Sequence, residues 1–200
     1  MGVQAAVKRC MDVVGAAVLV VLTSPLWLGV AVAIRRDSPG PVLFRQTRIG
    51  RNGRPFVILK FRTMRVGAER EWRPPTSDEF HDYVFQDAGD LRITSVGNFL
   101  RRTSLDELPQ LMNVLKGDMS LVGPRPEIPE MVALYSPEMH RRHRMRPGMT
   151  GLAQVSGRGE LSTGETMAYD LHYCDHWSLA MDFSILWRTI LQVLRAQGAR

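Results

Sequence analysis

Two adjacent carboxylates, Asp106 and Glu107, are the first residues in this chain placed to do chemistry, in the string Ser104-Leu105-Asp106-Glu107 ahead of an apolar helical run. The ordinary reading is a capping box, with Ser104 as N-cap and Glu107 at the third helical position, both acids complementing free amides of a first turn. The chemical reading uses the same dipole, which would keep Asp106 ionised as a nucleophile or metal ligand must be. Neighbouring helical residues point ~100° apart, so the two carboxylates would divide the work, one making a bond while the other positions it or takes a proton. Arg125 is held between prolines in Gly123-Pro124-Arg125-Pro126 and, judged alone, is a surface cation. Gly148, Gly151, Gly157 and Gly159 fall in a loop that is either a connector or a phosphate cradle. His172 and His176 stand four apart around Cys174 and Asp175, but the two middle residues face away from an i, i+4 pair, which argues against zinc. P-loop, dinucleotide and nucleophile-elbow motifs are absent.

Charge indicates what such groups could act on. The 200 residues carry a formal +6, and residues 35–73 alone hold 11 Lys or Arg against 3 Asp or Glu. The basic excess is therefore local, and it points to an anionic partner: nucleic acid, a phosphorylated small molecule or acidic lipid. With Cys10 and Cys174 as the two cysteines, neither a disulfide scaffold nor an all-cysteine metal site is available. The length allows one domain with a core of useful size.

The basic stretch follows an apolar one. Val13 to Ile34 is 22 residues without a charge, ~33 Å as a straight helix, enough to cross a ~30 Å hydrocarbon core. Pro25 near its centre predicts a kink, and Ser24 beside it can return a hydrogen bond to the freed carbonyl. Lys8-Arg9 and Arg35-Arg36 flank both ends, so the bias of basic residues toward the cytoplasm sets no direction for a span. Placing both ends on the cytoplasmic side resolves this, with two arms of about eleven residues entering half the bilayer and turning back. That re-entrant hairpin is preferred over a kinked span. A cleaved signal peptide ranks below both because the apolar run is too long.

Beyond it, Pro39 to Met64 reads as a β-hairpin about a tight turn at Asn52-Gly53, carrying Arg45, Arg48, Arg51, Arg54, Lys60, Arg62 and Arg65. So close to the apolar segment, those cations would gain ~1 kcal/mol each from anionic headgroups. Residues 66–90 read as a loop with a short helix at most. Helical pattern begins at Val96 and restarts at Ser104, with Leu108, Leu111, Met112 and Leu115 in phase and Gly117 as the stop. A helical stretch is expected around Arg141, Arg142, Arg144 and Arg146. An amphipathic helix follows with Phe183, Leu186, Ile190 and Leu194, Arg188 and Arg195 lying between, suited to core packing or to a membrane interface.

Taken together these motifs resemble the bacterial sugar transferase family, the small monotopic phosphoglycosyl transferases. The resemblance runs through Lys8-Arg9, Ser24-Pro25, Gly40-Pro41-Val42 and Lys60-Phe61-Arg62-Thr63-Met64. It continues through Arg101-Arg102-Thr103-Ser104-Leu105-Asp106-Glu107-Leu108-Pro109-Gln110, Gly123-Pro124-Arg125-Pro126-Glu127 and Arg146-Pro147-Gly148-Met149-Thr150-Gly151. The decapeptide is the most specific part. His176, Tyr169 and Met112 depart from the residues frequent in the family, none of them at the dyad. The resemblance implies an α+β, mostly helical fold: a re-entrant membrane helix hairpin over residues 1–36, then a cytoplasmic catalytic domain over residues 37–200 with a small β-hairpin and interfacial helices. It implies transfer of a sugar 1-phosphate from a UDP-sugar to polyprenyl (undecaprenyl) phosphate, with UMP released. This would be the first membrane step of a bacterial glycoconjugate or exopolysaccharide pathway, at the cytoplasmic face of the inner membrane. By resemblance Asp106 is the nucleophile and Mg²⁺ ligand, Glu107 assists, and Arg101 and Arg125 contact phosphate, with Lys60 and Arg62 as further candidates. Ser24 and Pro25 would shape the membrane segment. UDP-sugar, polyprenyl phosphate and membrane lipid are the expected partners, and self-association is left open. A membrane-anchored nucleic-acid binder is the rival, but residues 35–73 offer only Phe44, Phe56, Phe61 and Trp72 for stacking, so nucleic acid is not expected.

Overall fold

The computed structural model describes residues 2–84, 90–157 and 160–194. Helix α1, Gly2–Asp37, is one 36-residue segment that runs through Pro25, where the sequence pointed to two separate arms. Pro25 has no N–H to give, which leaves the carbonyl of Val21 without its helical donor. Ser24 Oγ donates to that carbonyl at 2.9 Å, as its position next to the proline predicted. Thr23 Oγ1 donates to Leu19 O at 2.7 Å and accepts from Trp27 Nε1 at 3.0 Å. The two polar side chains of the apolar run are thus turned back on their own helix.

Both ends of α1 pack on the rest of the chain. Near its start, Lys8 Nζ donates to Val122 O at 3.0 Å and to Asp182 at 2.7 Å, and Arg9 donates to the carbonyls of Val114 and Leu115. Buried Asp12 accepts from Ser120 Oγ and Leu121 N, each at 2.9 Å. Near its end, Asp37 accepts from Val96 N at 3.1 Å, and Val30 and Ile34 are buried with Phe61 and Leu100. Lys8 and Arg9, read from sequence as membrane flanks, are spent on internal acceptors. Between the ends Val18, Leu19, Val21, Leu22, Leu26 and Leu28 stay exposed. Among the described residues this helix is long and apolar enough to cross a membrane, and only 11% of its most apolar window is buried. A core helix of a soluble domain would hide that surface.

Strands β1 (Leu43–Ile49) and β2 (Pro55–Phe61) form the expected hairpin, in register from Leu43↔Phe61 to Ile49↔Pro55. Its connection is Gly50 to Arg54, closed by Gly50 N to Arg54 O at 2.8 Å. Asn52 (φ 58°) and Gly53 (φ 72°) are both left-handed, so the dipeptide turns the chain as its composition suggested, inside a five-residue loop and not a two-residue turn. The other edge of β2 is met by one side chain. Asn113 Oδ1 accepts from Leu59 N at 3.0 Å and Nδ2 donates to Val57 O at 2.7 Å, standing in for a third strand.

Helix α2 (Ser95–Thr103) and helix α3 (Gln110–Lys116) flank a 3₁₀ turn, Leu105–Glu107. Gly117 ends α3, as expected. The sequence did not reveal the next feature: β3 (Ser120–Val122) pairs in parallel with β4 (Gly148–Thr150). A Cβ on Gly148 would lie 2.1 Å from the backbone nitrogen of Gly123. Gly148 and Gly151 thus let this backbone lie against that of Gly123, while Gly157 packs on the Leu161 side chain; Gly159 lies outside the described residues. Helix α4 (Pro129–Val132) and a 3₁₀ segment, Met139–Arg144, fill the crossover, and the 3₁₀ segment is the helical stretch expected around Arg141, Arg142 and Arg144, ending before Arg146. Helices α5 (Leu152–Gly157), α6 (Thr163–His176) and α7 (Leu179–Leu194) complete the fold. Residues 66–84 hold a 3₁₀ turn, Ala68–Glu71, and otherwise irregular chain that buries Phe80 against Met131 and Met167.

Helix α7 packs Met181, Ile185 and Leu186 inward beside several of its polar side chains and leaves an apolar face outside. Arg188 and Gln192 donate to Val155 O, and Thr189 Oγ1 bonds Thr150 Oγ1 at 2.7 Å. Ile185 is buried, while Phe183, Trp187, Ile190 and Leu194 are exposed. Arg195, counted in that helix from sequence, lies outside the described residues.

Candidate active site

Asp106 and Glu107 sit in the 3₁₀ turn between α2 and α3, not in the first turn of an α-helix. Ser104 closes α2 in the left-handed region (φ 57°) and gives the turn no side-chain cap. The capping box read from sequence does not form at this point. Its acid is drawn elsewhere: Glu107 Oε1 accepts from Lys60 Nζ at 2.8 Å and from Arg125 Nη2 at 3.2 Å. Two charge-assisted bonds outweigh one neutral amide. The same motif does form at Ser162 and Glu165, at the start of α6.

Four elements supply the site. The strand β2 presents Lys60, opposite Phe44 in the hairpin. The last turn of α2 presents Arg101, whose Nε donates to Thr63 Oγ1 at 3.0 Å. That contact depends on Gly97 one turn earlier, where a Cβ would fall 2.0 Å from Thr63 O. The 3₁₀ turn holds the dyad, and the loop after β3 brings Arg125. Asp106 is 8% exposed, and among the described residues its carboxylate makes no hydrogen bond or ion pair. A buried carboxylate left free beside three cations is costly for a fold and useful for chemistry.

The electrostatics separate the two acids. Burial pushes Asp106 up, and the charge of Glu107 adds to this against the pull of Lys60 and Arg101, so its pKa rises to about 6. Burial also pushes Glu107 up, but Lys60 and Arg125 overcome it and hold it down at about 2. The expectation that a helix dipole keeps Asp106 ionised is thus corrected: no α-helix begins there, and burial acts in the opposite direction. The acid held firmly ionised is Glu107. Burial lowers Lys60, with Glu107 opposing.

Of the residues singled out from sequence, Asp106, Glu107, Lys60 and Arg125 meet, and Arg101 lies close enough for its charge to act on Asp106. Arg62 does not join them. It is buried, and its guanidinium is spent on Pro41 O, Ser38 Oγ and Ser38 O at the end of α1. Its side chain clamps the exit of the helix. Ser24 and Pro25 lie in α1, apart from the cluster. Arg48 is one of the basic residues of the hairpin whose composition marks no special role. It donates to Pro126 O at 3.1 Å and lies 3.7 Å from Glu127, bracing the Arg125 loop.

A divalent cation fits this donor set in one way. Among the described residues no group of three or more His, Cys, Asp or Glu side chains could hold a metal, so protein ligands alone make no cage. Mg²⁺ accepts one or two carboxylates and completes its shell with water and phosphate oxygens, and a carboxylate without a partner among the described residues, such as that of Asp106, is the kind of donor that chemistry calls for. His172 and His176 stack at 4.4 Å, with His176 Nδ1 bonded to His172 O, and form no such group with Cys174 or Asp175.

A family model described as bacterial sugar transferase matches residues 3–196. A Caulobacter vibrioides protein named UDP-glucose:undecaprenyl-phosphate glucose-1-phosphate transferase is 50% identical over 200 residues, covering 96% of this chain and 71% of its own. An Aeromonas hydrophila protein named UDP-N-acetylgalactosamine-undecaprenyl-phosphate N-acetylgalactosaminephosphotransferase is 41% identical, covering 99% of this chain and 46% of its own. The exopolysaccharide production protein ExoY of Sinorhizobium fredii is 39% identical, covering 96% and 87%. The chain therefore spans most of some relatives and less than half of others.

Proposed function

The chain belongs to the bacterial sugar transferase family, and from that premise we propose that it transfers a sugar 1-phosphate from a UDP-sugar to polyprenyl phosphate, releasing UMP. The observation that carries this reading is the Asp106 carboxylate, 8% exposed and without a partner among the described residues, beside Lys60, Arg101 and Arg125. Two anions must meet at one phosphorus, and preorganised cations offset the charge that accumulates there.

In the first step an Asp106 oxygen bonds to the β-phosphorus of the UDP-sugar. The bond from that phosphorus to the oxygen bridging the two phosphates breaks, and UMP departs with the electron pair. In the second, an oxygen of polyprenyl phosphate attacks the same phosphorus and returns Asp106 as a carboxylate, so the cycle balances without a net proton. Glu107 keeps Lys60 and Arg125 oriented and charged at the phosphate, while Arg101 faces it from α2. Mg²⁺, held by Asp106 with substrate phosphate oxygens, would supply charge neutralisation and orientation of the diphosphate. Burial raises the Asp106 pKa to about 6, and a bound cation would favour its charged form.

The uncovered surface of α1 supports a membrane placement. Its two ends dock on the rest of the chain while apolar side chains between Val18 and Leu28 are exposed. We read that stretch as an arch, re-entrant in the cytoplasmic leaflet of the bacterial inner membrane, with the exposed apolar face of α7 in the interface. A lipid phosphate then reaches the cationic cluster from the bilayer, and the product opens a glycoconjugate or exopolysaccharide pathway.

The test is UMP release from a panel of UDP-sugars by the detergent-extracted chain with polyprenyl phosphate and Mg²⁺. Asp106→Asn is expected to abolish release, and unchanged turnover in that variant would sink the covalent route. Reagents that label from the cytoplasm should reach tags at both ends of residues 13–34; a periplasmic N-terminus would exclude the re-entrant arch.

A further inference from the structure

The loop that carries Arg125 has few backbone handles. Its two prolines, Pro124 and Pro126, lack N–H groups, so carbonyls must do the tethering. Three consecutive carbonyls are each tied by a different element. Pro124 O accepts from Gly148 N at 2.9 Å, Arg125 O from Arg142 Nη2 at 2.6 Å and Pro126 O from Arg48 Nη1 at 3.1 Å. Glu127 O then accepts from Ile49 N at 2.9 Å.

Of these donors Arg142 is the unexpected one. It is 3% exposed, and its guanidinium also bonds the Tyr135 hydroxyl and the Asp170 carboxylate, which is itself 1% exposed. Among the described residues Arg142 Nε and Asp170 Oδ1 find no partner. A buried ion pair with unmet hydrogen bonds is a poor way to stabilise a core, because desolvation of both charges offsets their attraction. An apolar pair would fill the same space but could not reach a carbonyl. The side chain of Arg125, by contrast, is 44% exposed where it meets Glu107, and such a long, solvated arm is only as well placed as its backbone.

We propose that Arg142, its charge balanced by Asp170, is a positioning residue: by fixing the Arg125 carbonyl it sets the Arg125 guanidinium against Glu107 and the transferring phosphoryl group. The last clause rests on the phosphoryl-transfer reading above; the fixing of the loop does not. Lysine at position 142 keeps the charge beside Asp170, but one ammonium on a flexible stem cannot reproduce the planar fork that meets Tyr135, Asp170 and Arg125 O together.

The experiment is a double-mutant cycle on the full chain in detergent, using Arg142→Lys, Arg125→Gln and both together. It reads kcat and KM for UMP release, with thermal melting as the control for folding. Arg142→Lys is expected to lower kcat about 10- to 50-fold with KM changed less than about threefold, and to cost less than about threefold in the Arg125→Gln background. Full multiplicative losses would overturn the positioning role. A second readout is independent of turnover. Amide exchange at Gly148 and Ile49, which donate to carbonyls of the loop, should accelerate at least about tenfold in Arg142→Lys, and unchanged exchange would overturn the fixing of the loop. Should wild type release no UMP, the proposed function fails while the exchange measurement still decides the loop. If Arg142→Lys does not melt cooperatively, Asp170→Asn takes its place in both measurements.

Discussion

Asp182 and Asp106 are both buried carboxylates, 3% and 8% exposed, and they have opposite surroundings. Asp182 accepts from Lys8 at 2.7 Å, the Tyr173 hydroxyl at 2.6 Å and Trp177 Nε1 at 3.1 Å, tying the start of α1 to α6 and α7. Asp106 accepts from none of the described residues, although Lys60 is bonded to the residue beside it. A buried charge with its hydrogen bonds met holds structure together, and one without them is destabilising until something binds it. Satisfaction, not burial, separates the architectural acid from the chemical one.

Substitutions can break that contrast, and the largest effect belongs to Asp106. Beyond the loss of turnover, Asp106→Asn should make the metal-free protein more stable at pH 7.5. The sign follows from linkage. The pKa of Asp106 in the fold is raised from an ordinary 3.8 to about 6, so the folded state holds this proton more tightly than the unfolded one. The contribution of this one group to stability is then highest below pH 4 and falls as pH rises through 6. Removing the charge should recover about 1–3 kcal/mol, read as denaturation midpoints in EDTA across pH 4–7.5. A destabilised Asp106→Asn protein would refute the idea that this carboxylate is held at a cost.

Glu107→Gln comes next. It removes the shared anchor of Lys60 and Arg125 and should reduce kcat about 10²-fold while the chain stays folded, as read from UMP release and circular dichroism. Asp182→Asn should do the reverse. It strands Lys8 without its charge partner and is expected to cost about 2–4 kcal/mol of stability, leaving kcat per folded molecule within about threefold of wild type. A kcat loss as large as that of Glu107→Gln would show that docking of α1 is itself part of catalysis. The smallest effect is expected from Ser24→Ala, about 1 kcal/mol in lipid, because it frees one carbonyl, that of Val21.

What could be read ahead of the fold tracks the range of each interaction. Ser24 serves Val21 O as anticipated because both partners lie within one turn around Pro25. Gly117 stops α3 and Asn52-Gly53 turns the hairpin for the same local reason. The capping box at Ser104 was misjudged because Glu107 had a stronger, distant alternative in Lys60 and Arg125. Arg62 was misjudged because a cation in a basic run looks the same whether it meets phosphate or the carbonyls of Ser38 and Pro41. The pairing of β3 with β4 left no local trace, since each strand has three residues and the partners lie 28 apart.

The sequence by itself determined the family, the dyad, the apolar segment and the concentration of basic charge, because each resides in residue type and short spacing. Only the tertiary structure decided which cations reach the dyad, that Glu107 is the firmly ionised acid and Asp106 the one without a partner among the described residues, and that both ends of α1 dock on the rest of the chain. Those outcomes depend on desolvation and on charges brought together from 18 to 174 residues away. Neither quantity exists until the chain has folded.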